Sequence, residues 1–133
     1  MKILIPLISK KENSQDFLEQ ALEKAREVIL LLPVDTPANA TSGFTMAEVG
    51  QGENLMSEIQ AFVGKKKKKC ETVVQWGDTA KNIDHVARLK GVETIVLLKQ
   101  DNEFFKRLAG NLRKSKEYSL KIIEIAQEKA NQK

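Results

Sequence analysis

The stretch Val96–Ser115, VLLKQDNEFFKRLAGNLRKS, leaves an apolar run, enters a charged segment and crosses one glycine. Its first residues close "ETIVLL", Glu93–Leu98, a short apolar run of the kind expected for a parallel strand buried on both faces. Ligands of such sheets bind just beyond the carboxyl ends of the strands. The residues after Leu98 therefore decide between a phosphate-binding loop and a helix in its place. Phe104, Phe105, Leu108 and Leu112 recur at helical spacing, with Asp101 or Asn102 available as cap. This predicts a capped amphipathic helix. Gly110 inside it costs about 1 kcal/mol relative to alanine, so a break between two short helices is expected there.

The same alternation extends upstream. "KILIPL", Lys2–Leu7, is a first strand, and Ser14 caps a helix that turns Phe17, Leu18, Ala21, Leu22 and Ala25 to one side. "VILLLPV", Val28–Val34, is apolar throughout and reads as a second strand covered on both faces. Residues 35–52 carry Pro37, Gly43, Gly50 and Gly52 without a sustained period, the composition of a long, mobile connection. Leu55, Met56, Ile59, Phe62 and Val63 form a second helix that ends at the lysine run beginning at Lys65.

"ETVVQW" is a third strand, and Gly77-Asp78 supplies a turn and a cap for a helix with Ala80, Ile83, Val86 and Ala87 inward. Gly91 suits its C-terminal stop. Glu93–Leu98 is then strand four and "YSLKIIEI", Tyr118–Ile125, strand five; residues 126–133 read as a polar tail. Strands alternating with helices imply right-handed crossovers, hence a three-layer α/β domain with a parallel sheet and helices on both faces. At 133 residues, one domain spanning residues 1–133 is expected.

Composition narrows the function. With 41% hydrophobic and 30% charged residues, the chain is of the ordinary soluble type. Its longest apolar run is far shorter than the roughly 20 residues that span a bilayer, and Ser9-Lys10-Lys11-Glu12 comes directly after the first strand without a cleavage site. No membrane span or export is expected. The lone Cys70 cannot form an intramolecular disulfide, which fits a cytoplasmic location. The net charge of +4 arises from 22 basic and 18 acidic side chains that are mostly interleaved.

Five consecutive lysines could grip phosphates, yet cations also complement a helix C-terminus, and no aromatic residues are interleaved to stack bases. Nucleic-acid binding is not expected. His85 is the only histidine and Cys70 is not at a ligand spacing from it, so neither a metal site nor His-based acid/base chemistry is expected. No nucleophile elbow or glycine-rich nucleotide fingerprint occurs. A phospho-acceptor domain would need acids clustered at strand ends, and the first strand ends in Leu7-Ile8-Ser9.

Together, "ILIPLI", "LLLPV", "VVQWGDTAKNIDHVARLKGVETIVLL" and "LAGN…LKIIEI" resemble the universal stress protein family over nearly the whole chain outside residues 35–52. The resemblance implies an adenine nucleotide alpha hydrolase-like fold with five parallel strands in the order 3-2-1-4-5 and a homodimer paired through the last strand. Many members bind ATP between strands one and four, through a Gly-x2-Gly-x9-Gly-Ser/Thr pattern after strand four. Those glycines let backbone amides approach phosphates, and the hydroxyl helps to hold them.

On that pattern Leu98 and Asp101 fall at the first two glycine positions, eight residues separate Asp101 from Gly110, and Asn111 replaces the hydroxyl residue. The acidic residue that holds the ribose in binders aligns with Ile8. Pro6 and Val34 match the positions lining the adenine end, and Gly110 and Asn111 match the end of the phosphate pattern; these four are the nucleotide-binding residues the resemblance implies.

The resulting expectation is a non-enzymatic, stress-response or regulatory protein with an impaired ATP site and no cofactor. It would act through contacts with an unnamed protein partner, as a homodimer through Tyr118–Ile125. The alternative is an ATP/AMP-binding switch in which Lys99, Lys106, Arg107 or Arg113 replaces the glycine amides.

Overall fold

A computed structural model describes residues 1–35 and 44–125 of the chain. In chain order these form β1 (Lys2–Pro6), α1 (Gln15–Leu22), β2 (Glu27–Asp35), β3 (Phe44–Thr45), α2 (Val49–Lys65), β4 (Lys69–Trp76), α3 (Thr79–Leu89), β5 (Thr94–Leu98), α4 (Glu103–Arg113) and β6 (Ser119–Ile123). Every strand pairing is parallel, and the long strands run β4-β2-β1-β5-β6. With β3 set aside, this is the expected order 3-2-1-4-5.

The sheet divides the core because successive side chains of a strand point to opposite faces. Ile3, Ile5, Val28, Leu30, Leu32, Val96 and Leu98 face Phe17 and Leu18 of α1 and Leu55, Ile59 and Val63 of α2. Leu4, Ile29, Leu31, Ile95 and Leu97 face Ile83 and Val86 of α3 and Phe105, Leu108 and Leu112 of α4. Strand β2 is thus covered on both sides, with Val28–Leu32 fully buried. Each such aliphatic residue contributes about 2 kcal/mol of burial. Truncating Leu31 to alanine should cost about 2–5 kcal/mol through lost contact and a residual cavity.

The helix starts are set by their caps. The side chain of Ser14 accepts Phe17 N at 3.4 Å, and that of Asp78 accepts Lys81 N at 2.9 Å. Gly77 (φ 113°) and Gly91 (φ 66°) hold backbone conformations that side chains resist, at the turn before α3 and just after it.

Two expectations are corrected. The sheet has six strands, because Phe44–Thr45 pairs with Val34–Asp35 beyond the last β1 partner, Leu31. Helix α2 begins at Val49, inside the expected connection, after a 3-10 turn at Met46–Glu48. Gly52 there signals close packing rather than irregular chain: a Cβ on it would lie 2.6 Å from Leu32 Cδ1. Glu48 Oε1 accepts Thr45 N at 3.0 Å and secures the entry. The remaining connection, residues 36–43, and the expected tail, residues 126–133, lie outside the described residues. No helix among the described residues is long and apolar enough to cross a membrane.

Candidate functional site

The order of strand addition reverses at β1: the chain moves from β1 to β2 on one side, and β5 later pairs with β1 on the other, at Ile3↔Thr94 and Leu4↔Ile95. Such a switch point opens a crevice beyond the strand ends. A cavity of about 620 Å³ lies there. It is lined after β1 by Ser9 and Lys11, after β5 by Leu98–Asn102 and after β6 by Glu124 and Ile125.

The turn after β1 is organised by Glu12, which is fully buried. Ile8 N donates to Glu12 Oε2 at 3.2 Å, and Ser9 N donates to the same oxygen at 3.0 Å. Burial pushes the Glu12 carboxyl up to about 7, against the hydrogen bonds from Ser9 and Ile8 that favour the charged form. The family pattern gives no acid at this turn because Ile8 occupies its position. The available signal was the Ser9-Lys10-Lys11-Glu12 spacing, in which a glutamate reaches back to the serine amide. Lys10 adopts φ 67° in this turn and pairs with Glu48 at 3.0 Å.

On the β5 side, Lys99 N donates to Ile123 O at 2.8 Å and carries the sheet one bond further. Lys99 Nζ lies 3.7 Å from Glu124. Asn102 Oδ1 accepts Phe105 N at 2.7 Å, so the first turn of α4 is closed by its own cap. Gln100 Oε1 accepts from Asn102 Nδ2 at 3.3 Å, while Gln100 Nε2 is buried without a partner among the described residues.

The four residues implied by the resemblance separate into two places. Pro6 ends β1 and Val34 lies in β2, both buried at the carboxyl end of the sheet. Gly110 and Asn111 are exposed near the end of α4, which runs unbroken from Glu103 to Arg113. The expected helix break is therefore absent. A Cβ on Gly110 would meet nothing within 4 Å, so the glycine makes no cradle there.

Asn111 lines a different groove, between α3 and α4, with Asp84, Arg88 and Tyr118. There Tyr118 Oη donates to Asp84 Oδ1 at 2.6 Å, and Arg88 Nε donates to Asp84 Oδ2 at 3.0 Å. Burial works to raise Asp84, but the Tyr118 and Arg88 hydrogen bonds outweigh it and hold the carboxyl low. Burial, then Asp84, pushes Tyr118 up to about 12. The groups after β5 do not fit a triphosphate held on glycine amides: the turn has no glycine, and Asp101 and Glu103 stand at the helix start.

An open parallel sheet with a switch-point crevice and helices on both faces defines the class of doubly wound α/β proteins. No family model and no curated protein matches the chain. Solved structures do. Hypothetical protein MJ0577, the subject of a structure-based assignment of biochemical function, superposes with a TM-score of 0.66 at 19% identity, over 95% of this chain and 96% of that one. A protein of the universal stress protein family from Burkholderia pseudomallei gives 0.64 at 20% identity, over 92% and 94%. Hypothetical protein PH0823 gives 0.58 at 22% identity, over 95% and 97%. The chain has the universal stress protein fold.

Proposed function

We propose that this chain is a universal stress protein-like, non-enzymatic regulatory protein of the cytoplasm that acts through protein contacts and does not hold ATP as the binding members do. The observation that carries this reading is the capped start of α4. Asn102 closes the helix turn that a glycine loop would open, with Asp101 and Glu103 beside it. Strand β6 supports a homodimer: it is an edge strand on which Leu120 and Ile122 are half-buried between exposed Ser119 and Lys121, and an edge is completed by a second copy. Burial pushes the Cys70 thiol up to about 11, which suits an inert thiol in a reducing compartment.

Melting with and without excess Mg-ATP tests the reading. A ligand at about 100 times its Kd stabilises a fold by about 2.7 kcal/mol, so the expected result is an unchanged transition and a saturable rise overturns the proposal. Light scattering tests the dimer, for which a mass of one 15.0 kDa chain at high concentration is the contrary result.

A second reading, a nucleotide switch using basic side chains, is favoured by the crevice volume and by Gln100 Nε2, unpartnered among the described residues. Against it, Lys99 is engaged by Glu124 and Lys106 by Glu103, each at 3.7 Å. If this reading holds, ATP affinity falls in Lys106→Ala and Arg113→Ala; unchanged affinity removes it.

A further inference from the structure

We infer that the pole of the sheet opposite the switch crevice carries a binding site for a compact chain of linked phosphates. A cavity of about 490 Å³ opens at the amino-terminal ends of β2 and β4, where Glu27 pairs with Lys69 in the ladder. Its wall brings Arg26 together with Lys66, Lys67, Lys68 and Lys69, while Glu27 is its one acid. Glu27 is already turned to Lys2, at 3.7 Å.

The helix-capping account of the lysine run explains part of this arrangement only. Lys68 Nζ donates to Ala25 O at 2.6 Å and is a structural tie. Lys66 lies over the Phe62 ring at 5.4 Å and reaches Glu19 at 4.0 Å. Arg26, Lys67 and Lys69 have no acidic partner within 4.0 Å among the described residues and remain exposed. Arg26 precedes β2, while Lys67 and Lys69 lie before and at the start of β4, so residues far apart in sequence line one cavity.

The backbone gives an independent sign. Helix α2 ends in a Schellman closure, with Lys67 N bonded to Gly64 O at 2.9 Å and Lys68 N to Val63 O at 3.3 Å. The left-handed residue of that closure is Lys67, at φ 61°, where glycine is the unstrained choice. A side chain is kept at a conformational cost, and its residue lines the cavity. The wall contains no aromatic ring for stacking a base, so charge alone would select the ligand. Linked phosphates carry more charge and reach further along such a wall than a single phosphate.

The test is calorimetric titration of the whole chain with inorganic tripolyphosphate, pyrophosphate and orthophosphate. Tripolyphosphate should bind saturably, about tenfold more tightly than orthophosphate, and weaken as salt rises from about 0.05 to about 0.3 M. Lys67→Gly should melt no lower than the parent and yet lose about two- to fivefold in affinity, with Arg26→Gln adding a similar loss. Because Lys67→Gly relieves strain, misfolding cannot imitate this result. Absent saturation, or equal affinity in the Arg26→Gln/Lys67→Gly double variant, overturns the site. A single-stranded RNA of matched charge that binds more tightly than tripolyphosphate also overturns it, in favour of a nucleic-acid track.

Discussion

The carboxylate of Glu12 accepts the backbone amide of Ile8 at 3.2 Å while fully buried in the turn after β1. Its pKa is pushed up to about 7 from an ordinary 4.5, so the folded chain binds this proton more tightly than the unfolded chain. Stability from Glu12 is therefore fully present below the unfolded value and is lost as pH rises through about 7. A shift of this size corresponds to about 3 kcal/mol. Glu12→Gln should flatten that part of the stability profile, as read from urea midpoints between those two pH values. A variant with the parent's slope would show that another group titrates.

Two glycines should respond oppositely to alanine. Gly110 is helical with open space around its missing side chain, so Gly110→Ala should stabilise by about 1 kcal/mol. Gly52 is also helical, but its added Cβ would meet Leu32 Cδ1 at 2.6 Å and Phe44 Cγ at 3.2 Å. Leu32 is fully buried and has little freedom to withdraw, so Gly52→Ala should destabilise by about 1 kcal/mol net of the helix gain. Denaturant unfolding of both variants gives the signs.

Asn102→Ala should cost about 1 kcal/mol, because the Phe105 amide loses its 2.7 Å acceptor. Asp101→Ala should be close to neutral, since the neighbouring residue holds the cap. Equal losses in the two variants would place the cap wrongly.

Tyr118→Phe removes the hydroxyl that donates to Asp84 at 2.6 Å. Asp84 should then titrate closer to an ordinary aspartate, with Arg88 still holding it partly down. An NMR titration of the Asp84 carboxyl reads this directly, and an unmoved curve would exclude the Tyr118 contact in solution.

Most of the architecture was legible as periodicity. The covered runs at Val28–Val34 and Thr94–Leu98 lack a polar face because helices lie on both sides of the sheet. Ser14 and Asp78 were legible as caps because a cap bonds only a few residues along the chain. The candidate site was far less legible. Glu12 carries no periodic signal, and its burial depends on the packing around the turn after β1. Gly50 and Gly52 read as irregular chain, since nothing local shows that Leu32 and Phe44 leave no room for a side chain at Gly52.

From its residues alone the chain specified alternating strands and helices, two apolar faces per central strand, and the helix after Leu98. These depend on contacts within one or two turns, or on a two-residue alternation, and such patterns are written in neighbouring positions. Packing across the sheet settled the rest. It separated Gly110 and Asn111 from Pro6 and Val34, buried Glu12 beneath the Ile8 amide, and brought Arg26 beside Lys67 through the pairing of β2 with β4. Long-range pairing and burial join residues with no sequence proximity, and charge and pKa depend on that company rather than on the residue alone.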